Sequence, residues 1–245
     1  MNATPVLRAE DVRKRYRDGA EAVDVLKGVS LALGAGEIVA LEGPSGSGKT
    51  TLLSILGCLL TPTSGRLEIL GKFVDPGRPD LLWTHRRDAI GFVFQQFNLF
   101  PSLTAAENVE YALNVKGRKG PGARREARRW LDAVGLADRL GFRPRDLSGG
   151  QKQRVAVARS LAGGAPIILA DEPTGNLDLQ AGGQVLDLFR DLARGEGRSL
   201  LIVTHDPKVR RIADRVVAIE GGLLRGQEPG QGKDGPQGRA NGGGA

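Results

Sequence analysis

Strand and helix signals alternate through most of this 245-residue sequence, the pattern of an α/β fold built on a largely parallel sheet. We expect a mixed sheet, an antiparallel β portion on its N-terminal side, and an α-helical subdomain inserted midway. Five apolar, β-branched runs read as short strands: IVALEG (38–43), IGFVF (90–94), PIILADE (166–172), SLLIVTH (199–205) and RVVAIEGG (215–222). Helical patterns lie between them, in TTLLSILGCLL (50–60) and QVLDLFRDLAR (184–194). From about Gln96 to Ala165 strand signals vanish.

At the start of the chain, LRAEDVRKRY and VLKGVSLAL read as edge strands joined by hairpin-type connections. In the strand-free region, RREARRWLDAVGLADRL (124–140) has helical spacing, with Trp130, Val134 and Leu136 on or near one apolar face. The nucleotide-binding core is therefore expected over 1–95 and 166–222, and the helical subdomain over 96–165. Residues 223–245 are rich in Gly, Pro and Gln with almost nothing to bury, so the sequence predicts a disordered tail there.

Composition narrows the classes. The chain is 40% hydrophobic and 26% charged, which suits a globular protein with a sizeable core. No stretch approaches the roughly 18 to 20 apolar residues of a membrane-spanning helix, and MNATPVLRAE has no apolar signal-peptide core. A cytoplasmic chain is expected. The single cysteine, Cys58, excludes an internal disulfide, and its apolar neighbours in LLSILGCLL predict a buried, unreactive thiol. A net charge of +7 is compatible with nucleic acid or an anionic surface, but with aromatics at only 4% base-stacking platforms are poorly supported.

The chemistry begins at Gly43–Thr50, GPSGSGKT, which meets G-x-x-x-x-G-K-[ST] between a strand and an apolar helix. Gly43, Pro44, Ser45, Gly46, Ser47 and Gly48 form a loop whose backbone N–H groups turn toward phosphate oxygens, and the helix start adds partial positive charge. Lys49 is expected to bridge the β- and γ-phosphates of ATP, with the Thr50 hydroxyl on Mg²⁺ and Thr51 beside it. The apolar strand PIILADE delivers Asp171, suited to the Mg²⁺ shell, and Glu172, suited to activating the attacking water. His205 ends a third strand; a lone histidine is more often structural than functional, but beside the same cleft a bond to a γ-phosphate is the other open reading. A second anion-binding helix start follows from LSGGQKQRVAVARSLA (147–162), where Ser148 is a good N-cap and Gly149 and Gly150 expose backbone N–H groups.

That last segment resembles the signature motif of the ATP-binding cassette (ABC) superfamily, at the right spacing between the phosphate loop and the acidic strand. The resemblance covers about residues 7–225 and implies an ABC ATPase fold and coupled ATP hydrolysis. It also implies a head-to-tail homodimer of cassettes in the ATP-bound state, in which Ser148, Gly149, Gly150 and Gln151 close over ATP held by the partner. Tyr16 resembles the residue that stacks on adenine. Gln95 resembles the glutamine that senses Mg²⁺ and water, preferred over Gln96 because it directly follows the strand. Asp178 resembles the aspartate of the loop crossing the dimer interface, and His205 the switch histidine. GCLLTPTSG, GFVFQQFNLFP, LTAAENV and DEPTGNLD are similar to cassettes of the lipoprotein-release, macrolide-efflux and cell-division group. This implies an integral membrane permease subunit as partner, a peripheral place on the inner face of the cell membrane, and no nucleic acid. A soluble ABC ATPase of repair, translation or cofactor assembly is the alternative; a phosphate-loop kinase has no reason to contain LSGGQ. Departures are modest: GKTT for the commoner GKST, Lys152 where glutamine is frequent, a short helical insertion, and the glycine-rich tail.

From Lys116 to Arg145 the chain carries ten Lys or Arg against three acids, a local +7 equal to the excess of the whole chain. A solvated helix face and a surface for acidic partner loops or anionic headgroups are both open readings.

Overall fold

The computed structural model of the chain describes residues 4–18 and 21–232. In order, its first half comprises β1 (Leu7–Asp18), β2 (Glu21–Leu33), β3 (Ile38–Glu42), α1 (Lys49–Leu56), β4 (Ser64–Ile69), β5 (Lys72–Phe73), α2 (Pro79–Ala89) and β6 (Ile90–Val93). There follow α3 (Ala105–Val115), α4 (Pro121–Ala133), α5 (Gly149–Leu161), β7 (Ile167–Asp171), α6 (Leu179–Glu196), β8 (Ser199–Val203), β9 (Arg215–Glu220) and β10 (Leu223–Pro229).

Two sheets result. A four-stranded antiparallel sheet runs β2-β1-β4-β5, and a six-stranded sheet runs β10-β9-β3-β8-β7-β6. In the larger sheet every pairing from β9 to β6 is parallel, and only β10 is antiparallel. The parallel strands read as continuous apolar runs because both faces are covered. Val39, Leu41, Leu169, Leu201 and Val217 face α1 and the smaller sheet, whereas Ile38, Ala40, Ile168, Leu200 and Val216 face the helices on the other side. The side-chain period of two thus divides each strand between two cores.

The helix starts follow local chemistry. Thr104 and Glu107 form a reciprocal capping box on α3, Ser148 and Gln151 do the same on α5, and Asp178 accepts from the Ala181 N–H at the start of α6. The apolar stripe of α6, Val185, Leu186, Phe189, Leu192 and Ala193, is buried.

Three differences from the sequence reading emerge. The helical pattern over 124–140 is cut at Ala133, because Gly135 takes φ +68 and a short 3-10 turn, Ala137–Arg139, follows; Trp130, Val134 and Leu136 are nonetheless all buried. Unforeseen β4, β5 and α2 join the phosphate-loop helix to β6. The tail expected from 223 instead begins with β10, whose partner β9 supplies backbone hydrogen bonds whatever the side chains are. After β10, the N–H groups of Gly230, Gln231 and Gly232 donate to the carbonyls of Asp214, Arg210 and Ala213. Residues 233–245 lie outside the described part of the chain.

Candidate functional site

Parallel pairing brings the C-terminal ends of β3, β8, β7 and β6 to one edge: Leu41 registers with Val203, Val203 with Asp171, and Val93 with Ala170. Ligands of open α/β sheets bind outside this edge. Here it borders a cleft of about 390 Å³ lined by Ser45, Gly46, Lys49, Thr50, Gln95, Asp171, Glu172, Gly175, Asn176, Val203 and His205.

The loop from β3 to α1 is shaped by glycine. Gly43 has φ +155, and a β-carbon there would stand 2.1 Å from the carbonyl oxygen of Ile219 on β9, so no other residue fits. The Lys49 ammonium, mostly buried, donates to the carbonyls of Gly43 (2.7 Å) and Pro44 (2.9 Å). This bends the side chain back over the loop it is proposed to serve. The buried Ser47 hydroxyl has no hydrogen-bond partner among the described residues. A β-carbon on Gly46 would meet nothing within 4 Å, which leaves the loop open toward the cleft.

Across the cleft, the Thr50 hydroxyl donates to Asp171 Oδ2 at 2.9 Å. Burial pushes the Asp171 carboxyl above its usual range, opposed by that hydrogen bond and by the charge of Lys49. A buried carboxylate and a hydroxyl side by side, with a cation nearby, are a hard-oxygen pair suited to a divalent ion. Glu172 has left-handed backbone, φ 48, and its N–H donates to the Val203 carbonyl. Its carboxylate accepts from the His205 N–H (3.3 Å) and lies 3.7 Å from His205 Nε2. Asp206 ties this corner down, accepting from the Thr174 hydroxyl at 3.0 Å.

Of the residues singled out in the sequence, the cleft therefore gathers Ser45, Gly46, Lys49, Thr50, Gln95, Asp171, Glu172 and His205. Gln96 does not line it. Tyr16 stands on β1, 42% exposed, with Lys14 Nζ 5.2 Å from its ring centroid. Ser148, Gly149 and Gly150 are outside the cleft: Ser148 and Gly149 are exposed, and Gly150 lies against the carbonyl of Asn176. Gln151 is engaged with the Ser148 N–H (2.9 Å), and Asp178 caps α6. The sequence reading passes over Gly175 and Asn176; their signal is the turn sequence PTGN directly after the acidic strand end.

The family model described as ABC transporter matches residues 26–175 of the chain. The chain belongs to the ABC transporter family. This cassette is 47% identical over 224 residues to the macrolide export ATP-binding/permease protein MacB of Brucella melitensis, covering 91% of this chain and 34% of that protein. It is 45% identical over 235 residues to the protein of the same name from Salmonella choleraesuis, covering 96% and 36%. The chain thus spans about a third of the length of these curated relatives. Among solved structures it is similar to the ATP-binding cassette MJ0796 in a dimeric post-hydrolysis state bound to ADP and Pi, with a TM-score of 0.87, 43% identity, and coverage of 91% of this chain and 98% of that one. A second dimeric structure of MJ0796, a bacterial ABC transporter cassette, matches with a TM-score of 0.88 and 43% identity. The fold is that of an ABC ATPase, and this cassette is an ATP-hydrolysing member.

Proposed function

We propose that the cassette works as a head-to-tail dimer with two composite ATP sites, and that each cleft is half a site. The observation that carries this reading is the separation of two anion-binding helix starts. The α1 start opens into the cleft, while the capped α5 start at Ser148–Gly150 stands outside it, free to meet another copy. Leu179, 79% exposed beside Asp178, supports an interface on the same side of the molecule. The dimeric form of the MJ0796 relatives supports it too.

In this reading the loop amides and Lys49 hold the phosphates, and Tyr16 stacks on the adenine. Thr50, Asp171 and Gln95 would hold Mg²⁺, which when bound neutralises charge on the phosphate oxygens. Glu172 orients a water and accepts its proton as the water oxygen bonds to the γ-phosphorus. The bond from that phosphorus to the bridging oxygen breaks, and ADP leaves with it. His205, against Glu172, fixes the carboxylate and faces the γ-phosphate. Ser148, Gly149, Gly150 and Gln151 of the second copy complete the shell, and Asp178 works at the seam.

The partner is proposed to be an integral membrane permease, which places the cassette peripherally on the inner face of the cell membrane. The names of the relatives favour this over a soluble ABC ATPase in repair, translation or cofactor assembly. A groove of about 540 Å³ beside α2, β6 and α3 supports it: exposed Trp83, Phe100, Tyr111 and Val115 share its wall with Arg86, Arg87 and Lys116. An apolar partner segment with acidic residues fits such a surface.

Glu172→Gln preserves nucleotide binding but removes the base, so it should trap an ATP-bound dimer in ATP and Mg²⁺. Light scattering after size exclusion reads this directly; a chain that stays monomeric under those conditions rejects the composite site.

A further inference from the structure

We propose that Arg159 is a positioning residue for Gln95: carried on α5, it holds the loop that delivers Gln95 to the cleft. The proposal rests on the functional reading of Gln95 given above.

Gln95 follows β6, and the chain must then turn sharply. The Asn98 N–H donates to the Gln96 carbonyl, and the Phe97 N–H to the Phe94 carbonyl. Phe97 and Asn98 take φ 59 and 49, a left-handed conformation that asparagine tolerates but that is uncommon for a bulky residue such as phenylalanine. Arg159 braces this turn. Its two terminal nitrogens donate to the carbonyls of Phe97 and Asn98, one acceptor each. The planar guanidinium fork fixes the direction of both carbonyls at once, which a single-point donor does not do.

The cation has little else to hold. Burial lowers its pKa to about 10, so it is still charged near neutrality. No carboxylate lies within ion-pairing distance of it among the described residues, and the two loop carbonyls are the only hydrogen-bond acceptors it has there. A partly buried charge that loses its acceptors is penalised. The loop and α5 are thereby locked together, and neither moves far without the other.

The consequence is a link between two sites. α5 begins at the Ser148–Gln151 cap, and Arg159 sits eleven residues beyond Ser148, about 16 Å along the helix axis. A displacement of the helix start on meeting a second copy reaches the Gln95 loop through this guanidinium. Arg159 and Asn98 also line the apolar groove, so a segment seated there touches the same joint.

The test is a double-substitution cycle in the full chain, reading steady-state ATPase activity against ATP and against Mg²⁺. Arg159→Gln should lower kcat about tenfold, the scale of a displaced positioning group, and raise the Mg²⁺ concentration giving half the maximal rate. KM for ATP should stay nearly unchanged. In a Gln95→Ala background the same substitution should lower kcat no further. An equal fall in both backgrounds overturns the proposal, because Arg159 then acts independently of Gln95. Full activity of Arg159→Gln beside a slow Gln95→Ala overturns it as well. If Gln95→Ala itself turns over at full rate, the role of Gln95 has failed and its positioning residue falls with it. Should Arg159→Gln not fold, Arg159→Lys, which keeps the charge but not the fork, carries the same cycle with a smaller loss.

Discussion

Asp178 shows how one capping side chain ties stability to pH. The Ala181 N–H bonded to its carboxylate, foremost, holds its pKa below the usual carboxylate range, against a smaller desolvation effect. A depressed folded-state pKa means that the stabilisation is present above the unfolded-state pKa and is lost as pH falls through the folded-state value. Asp178→Asn, which still caps a helix but does not titrate, should therefore leave the urea midpoint nearly unchanged near pH 7 and flatten its acid-side decline toward about pH 3. A decline as steep as that of the parent chain would remove Asp178 from the acid transition. Glu172 makes a different point. Its left-handed backbone, φ 48, is held through its N–H by the Val203 carbonyl, and its carboxylate by the His205 N–H, so the carboxylate is aimed by the fold and not by its own preference.

At the scale of elements, the approach of α5 to β6 decides where Gln95 stands. Gly91 permits it: a β-carbon there would lie 2.1 Å from the Ser160 carbonyl oxygen. Gly91→Ala should cost about 1–3 kcal/mol of stability by overpacking, seen as a lower denaturant midpoint at constant slope. The helical subdomain carries a second expectation. Arg124, Arg125, Arg128 and Arg129 are exposed on α4, and Arg124 alone of them has an ion-pair partner among the described residues, Glu110 at 3.9 Å. Reversing all four charges should weaken co-sedimentation with anionic vesicles while sparing nucleotide affinity; unchanged sedimentation would leave α4 a solvated face.

Elements differed in how readily the sequence disclosed them. β3, β7 and β8 were plain because strands buried on both faces need unbroken apolar runs. By contrast α2 buries little beyond Leu82 and Ala89, so it carries no apolar stripe to read. In β4 only Leu67 and Ile69 alternate inward, too few for a pattern. β10 is held through its backbone by β9, which side chains do not announce.

On the scale of the whole molecule, the proposed composite site predicts complementation between two inactive chains. Lys49→Ala disables the phosphate loop, and Ser148→Arg blocks the signature start. Each variant alone should hydrolyse ATP far below the parent rate. Mixed, they should recover part of the activity, because one of the two sites in a mixed dimer pairs an intact loop with an intact signature start. No recovery in the mixture, at concentrations where the parent chain dimerises, would argue that each chain works alone.

The chemistry-bearing residues and their order were determined by the sequence itself. A glycine loop before a helix, carboxylates at an apolar strand end and a capped Ser-Gly-Gly are local patterns, because backbone freedom, helix polarity and side-chain period act over a few residues. The tertiary structure alone decided that Lys49, Thr50, Gln95, Asp171, Glu172 and His205 share one cleft and that Ser148 does not. It also decided that Arg159 on α5 anchors the turn after Gln95 and that a strand continues past residue 223. Sheet register, burial and tertiary hydrogen bonds join positions far apart in the chain, as Thr50 to Asp171 and Ile38 to Asp214 show at separations of 121 and 176 residues. No local pattern encodes such pairings, and they are what gather a list of polar groups into one cleft.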